Sequence, residues 1–172
     1  MDCIKMVVAM NPCKCGHLWD EKRICTCTGR QLDSHKRKLT GPLSDRIDMH
    51  IKVLPVDVEK IKFQDEGAGA MSSQEMKNQV EKARAVQRYR YKGTIYSDNG
   101  SLDEKGIREY CMLNKAGESI LKKAYDNLNL SMRAYVKILK VSRTIADLEG
   151  VEHIGERHVA EALAYRVSYW DE

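Results

Sequence analysis

Four cysteines carry the most specific chemistry in this chain. Cys13 and Cys15 form one C-x-C pair and Cys25 and Cys27 a second, within the run MNPCKCGHLWDEKRICTC. Two close thiol pairs joined by a loop can surround a tetrahedral zinc ion, which takes four thiolates at about 2.3 Å. Gly16 suits a sharp turn after the first pair, and His17 is an alternative fourth ligand. The competing reading is four unligated or redox-active thiols. In a cytoplasmic protein, the default class here, paired cysteines are more often metal ligands or redox groups than disulfides. Four protein ligands leave no open coordination position, so the zinc is expected to be structural and to hold a loop too polar to fold unaided. Cys3 and Cys111 read as buried small apolar residues.

Three further polar residues stand where ligands meet a fold. Asn11 ends the apolar run Met6–Met10, at the strand end where open α/β sheets bind ligands; the plainer reading is a turn cap. Arg46 lies between Asp45 and Asp48 in LSDRID, either as a held cation or as a surface salt bridge. Arg133, near the start of a long helical pattern, either reaches a phosphate or solvates a stripe. Lys77, Arg84 and Arg88 share one side of another helical pattern and could track nucleic acid or simply face water. His153 and His158 read as turn and surface residues. No G-x-x-x-x-G-K-[ST] phosphate loop occurs, and no acidic pair follows an apolar strand to hold magnesium, so the parts for phosphoryl transfer are incomplete.

The elements that must position these residues follow from composition and pattern. The chain has 172 residues, 42% apolar and 31% charged, enough for one or two compact units. No run approaches a membrane span, and the first residues do not show a signal-peptide pattern. The net charge of +4 permits nucleic-acid contact without demanding it. Residues 4–10 (IKMVVAM) suggest a strand buried on both faces, and 47–53 alternate as a second strand. A short helix is expected around Gly29–Lys38. Residues 1–61 are expected to form one unit, 62–71 a Gly/Ala-rich linker, and 72–172 an all-helical unit.

In the helical unit, Ser72-x-x-Glu75 and Ser101-x-x-Glu104 fit capping boxes, while Asn114 and Ser131 are candidate caps. Met76, Val80 and Ala83 form the apolar stripe of the first helix. The helix from Ser131 to about Leu148, stopped by Gly150, is apolar over more than half its circumference and is expected at the centre. Arg133, Lys137 and Lys140 form its polar stripe. A last helix is expected near Arg157–Val167.

The blocks VVAMNPCKCG, CTC, LTGPLSDRIDMHIKV, SSQEMKNQVEKARAVQRYR, LNLSMRAYVKILKVSRTIADLEG and HVAEALAYR together resemble the C-terminal part of the magnesium-chelatase-related AAA+ ATPases, the ComM/YifB group. That resemblance implies an α/β remnant, the end of a AAA+ core bearing the cysteine loop, followed by an all-α helical lid. It implies that Asn11 is the sensor 1 asparagine, Arg46 the arginine finger offered to a neighbouring subunit, and Arg133 the sensor 2 arginine of the lid. It further implies ATP and Mg2+ as cofactors of the intact protein, a hexameric ring, DNA as partner and a helicase role in branch migration. The segments that hold nucleotide in that family are missing here, so the isolated chain is expected to be inactive as an ATPase. Two other classes remain. A zinc-stabilised DNA-binding module, with segment 30–38 on phosphates, would bind DNA alone with steep salt dependence. A chelatase-type motor would use the same parts to insert a metal into a porphyrin.

Overall fold

Capping side chains set most of the element boundaries. The structure is a computed structural model that describes residues 6–39, 46–54 and 71–166. It divides into two compact units, Met1–Arg46 with Lys52–Gln64 and Ile47–Ile51 with Asp65–Glu172. Cys3, Asp45 and most of the expected linker lie outside the described residues.

In the first unit, α1 spans Gly29–Leu39, matching the expected short helix. Thr28 and Gln31 cap it reciprocally: the Gln31 N–H donates to the Thr28 hydroxyl at 3.4 Å and the Thr28 N–H to the Gln31 side chain at 3.0 Å. Lys36, Arg37 and Lys38 fill its last turn, where cations complement the helix dipole. The two expected strands are not formed: among the described residues there is no strand. A strand exists through its hydrogen bonds to a neighbour, and no described segment pairs along 6–10 or 47–53. Their apolar side chains stay in solvent, with Val7 97% and Val53 80% exposed.

The second unit is a helical bundle. Helix α2 spans Ser73–Arg90, with the expected Ser72–Glu75 capping box complete in both directions. Only one residue of its expected apolar stripe is used: Ala83 is buried, but Met76 and Val80 are exposed. A 3-10 turn, Asn99–Ser101, is capped by Asp98. Next, α3 spans Glu104–Tyr110 and is capped by Asp103, whose carboxylate accepts from the Gly106 N–H at 2.8 Å. Ser101 is therefore not the cap expected of it; its hydroxyl belongs to the turn before.

Asn114 caps α4 (Lys115–Asn127) and Ser131 caps α5 (Met132–Glu149), both as expected. The left-handed Gly150, at φ 74°, ends α5 where a side chain would strain the backbone. Helix α6 spans Glu156–Ala164, and Val167, where it was expected to end, lies outside the described residues.

Helix α5 lies at the centre and packs on α2, α3, the 3-10 turn and α6, while α6 also packs on α4. Ile138, Leu139, Ile145 and Ala146 of α5 join Leu121, Ile154, Val159 and Ala162 in one apolar core, each large aliphatic side chain contributing about 1.5–3 kcal/mol on burial. The expected packing of Cys111 as a small apolar residue holds, at 5% exposure. No described helix is long and apolar enough to cross a membrane.

Candidate functional site

The cysteine loop closes on itself. The Gly16 N–H donates to the Cys13 carbonyl at 3.1 Å, and Gly16 takes φ 86°, so the turn after the first pair needs a glycine. That turn sets Cys13 Sγ 3.4 Å from Cys15 Sγ and 3.7 Å from Cys25 Sγ, with Cys15 and Cys25 at 3.5 Å. All four Sγ atoms, Cys27 included, lie within 4.8 Å of one another. These are not disulfide distances. Four thiolates at about 2.3 Å from a tetrahedral ion would sit about 3.8 Å apart, so the donor set fits a metal ion of zinc size.

The electrostatics point the same way. Backbone hydrogen bonds from His17, then Thr26, pull the Cys15 thiol down to about 5. The Cys27 backbone N–H also draws Cys25 down, but burial and the surrounding sulfurs outweigh it and push Cys25 up to about 12. Burial likewise raises Cys27. Packed together, the four sulfurs share one another's negative charge poorly; a divalent cation at their centre removes that conflict. The Cys15 N–H donates to Cys27 Sγ at 3.4 Å and supports it from the next shell out. His17, the alternative ligand, is not part of the cluster: its ring faces Asp20 at 3.4 Å.

Asn11 stands beside this loop. Its carbonyl oxygen is 3.0 Å from His35 Nε2 on α1, and its side-chain nitrogen lies near Gly16. Arg30, Arg37 and Lys38 share one exposed face of α1 with Asp33 and Ser34. Arg46 is exposed and belongs to the first unit. Asp48, expected to hold it, instead pairs with Lys137 of α5 at 2.8 Å. Arg133 lies exposed in the first turn of α5. The structure thus gathers the four cysteines, with Asn11 at their edge, and leaves Arg46 and Arg133 in separate units.

Sequence reasoning missed a buried polar network in the helical unit. Arg90 grips Asp147 with two nitrogens at 2.9 and 2.5 Å, and Arg143 Nε adds a third bond at 3.1 Å. Asn99 donates to Asp147 at 2.9 Å and to Thr144 at 3.0 Å, and accepts from the Tyr91 hydroxyl at 2.6 Å. Arg143 also donates to the carbonyls of Glu152 and Val151, closing the loop after α5. The one available signal was the run of polar residues Arg143 and Asp147 on an otherwise apolar face of α5. His158, expected at the surface, is buried too: its Nδ1 accepts from the Gly155 N–H at 2.8 Å, which leaves Nε2 to donate to Glu149 at 2.9 Å.

Comparison with known proteins places the chain. The model for the C-terminal part of magnesium chelatase subunit ChlI matches residues 70–166, and that for subunit ChlI matches residues 3–61. The chain belongs to the magnesium chelatase subunit ChlI family. The competence protein ComM of Haemophilus influenzae is 39% identical to it over 162 residues, 94% of this chain and 30% of ComM. YifB proteins of Salmonella typhimurium and Escherichia coli are each 33% identical over the same 94% of the chain. The chain therefore spans about 30% of the length of these family relatives.

Proposed function

We propose that this chain is the C-terminal part of a ComM-like AAA+ ATPase, a DNA helicase of the branch-migration kind, that completes an ATP site built mainly by the rest of the protein. In this reading Asn11 orients the attacking water, and Arg46 stabilises charge on the nucleotide of a neighbouring subunit. Arg133 reaches the same phosphates from the lid, and the whole protein works with ATP and Mg2+ as a hexameric ring. Residues 6–10 and 47–53 would take their place at the edge of an α/β core. Their exposed Met6, Val7, Val8, Ile51 and Val53 side chains fit such neighbours. Zinc is the proposed structural occupant of Cys13, Cys15, Cys25 and Cys27.

The observation that carries this reading is Arg133. Among the described residues it makes no hydrogen bond or ion pair, and it sits at the positive end of α5. A cation there opposes the helix dipole by about 0.3–1 kcal/mol, a cost offset when a triphosphate binds. A planar fork suits phosphate oxygens, and charge placed in advance where it develops lowers the barrier to transfer.

The test uses the full-length protein. Arg46→Ala should lower ATP turnover by about 10³-fold or more with nucleotide binding kept, and Arg133→Ala should lower it as well. Turnover unchanged in both would remove the ATPase roles. The basic face of α1 favours DNA as the track; a stand-alone zinc module would show its salt-dependent DNA binding without the rest of the protein. A chelatase-type motor would use the same ATPase parts and differ in what the ring drives, while the paired cysteines favour the ComM-like reading.

A further inference from the structure

We infer that Lys137 and Arg166 are positioning residues for Arg46, clamping the segment that follows it onto the helical unit. The inference rests on the arginine-finger reading of Arg46 given above. Three anchors fall within four residues. The Ile47 carbonyl accepts from Arg166 at 2.8 Å, the Asp48 carboxylate pairs with Lys137 at 2.8 Å, and the His50 N–H donates to the Tyr165 carbonyl at 2.8 Å. By its contacts Ile47–Ile51 belongs with the helices, although the residues on either side of it do not.

Arg46 is one peptide bond from Ile47, about 3.8 Å between Cα atoms. Fixing Ile47 and Asp48 therefore fixes the base from which the Arg46 side chain extends. A finger must meet developing charge to within about an ångström, and small misplacements cost large factors in rate. The two clamps differ in kind. Arg166 holds the backbone itself, so it sets position. Lys137 holds a side chain that is 69% exposed, its own being 18% exposed. The Asp48 end is open to solvent, which screens the pair although Lys137 is largely covered, so cutting it at Asp48 should move the thermal midpoint little. A positioning role would show in turnover instead.

The experiment measures kcat, KM for ATP and the thermal midpoint of the full-length protein for Lys137→Ala, Asp48→Lys, the swap Lys137→Asp with Asp48→Lys, and Arg46→Ala as reference. Lys137→Ala and Asp48→Lys should each lower kcat by about tenfold or more, with KM and midpoint held, and the swap should restore most of the loss. Wild-type kcat in Lys137→Ala, alongside collapse in Arg46→Ala, would overturn the clamp and spare the finger. A kcat loss that tracks a falling midpoint and is not restored by the swap would also overturn it. Unchanged turnover in Arg46→Ala would remove the finger, and the clamp with it.

Discussion

Asp147 carries two guanidinium groups on one carboxylate in the interior of the helical unit. Its side chain is fully buried and that of Arg143 is 2% exposed. Burial pushes the Arg143 guanidinium down from its ordinary range, against the pull of Asp147, while hydrogen bonds to Asp147 hold Arg90 above it. Remove the carboxylate and two cations face each other across an apolar core. Asp147→Ala should therefore cost about 3–5 kcal/mol, read as a lower denaturant midpoint at unchanged slope. The same change at Glu104, whose pair with Arg108 is 81% and 78% exposed, should cost under about 1 kcal/mol. Beyond two charged residues on a mostly apolar face of α5, none of this was legible from residue types. Arg143 and Asp147 fit the four-residue spacing of an ordinary surface pair, and only folding shows that this face of α5 is the one the other helices cover.

The elements divide the same way between local and long-range causes. Ser72, Asn114 and Ser131 announce helix starts because a cap acts within three residues of itself. Ser101 misled because Asp98 and Asp103 compete for the same turn, and the structure gives each carboxylate one helix to cap. The segment 47–53 was read as a strand from its alternation, yet Ile47, Asp48 and His50 find their partners in Lys137 of α5 and in Tyr165 and Arg166 just after α6, far away in sequence.

Its pH response follows from its surroundings. Burial first, then Arg166 and Lys137, lower His50 below its ordinary 6.5, with Asp48 on its own segment facing Lys137. A histidine depressed in the folded state takes up fewer protons than when unfolded, so its contribution is intact above about 6.5 and is lost as pH falls through its folded value. Unfolding midpoints should drop on acidification from pH 7 towards 5, and His50→Gln should flatten that slope.

At the scale of the whole molecule, the cysteine cluster was legible and its consequences are testable. The spacing sufficed because a C-x-C pair needs only one tight turn to bring its sulfurs within reach. Asn11, Arg46 and Arg133 were not legible as a site from spacing, since each is a single polar residue with an ordinary alternative. With one zinc per chain at purification, a strong chelator should unfold the first unit and leave the helical unit's transition where it was, as two calorimetric events. Cys13→Ser should do the same. A metal-free protein with both transitions intact would dismiss the cage.

The bridge between Leu113 and Ile154 has a further consequence. The Asn114 N–H meets the Ile154 carbonyl at 2.9 Å and the Ile154 N–H meets the Met112 carbonyl at 3.1 Å. This clasp fastens the entrance of α4 to the entrance of α6, and α5 makes the return path between them. Residues 113–154, carrying α4 and α5, therefore form a closed circuit of chain within the helical unit, and its turn at Asn129, φ 46°, lies away from the clasp. Severed there, the two pieces would still share the fastening and the core, which makes that turn the natural place to split the domain for reassembly or to splice in a reporter.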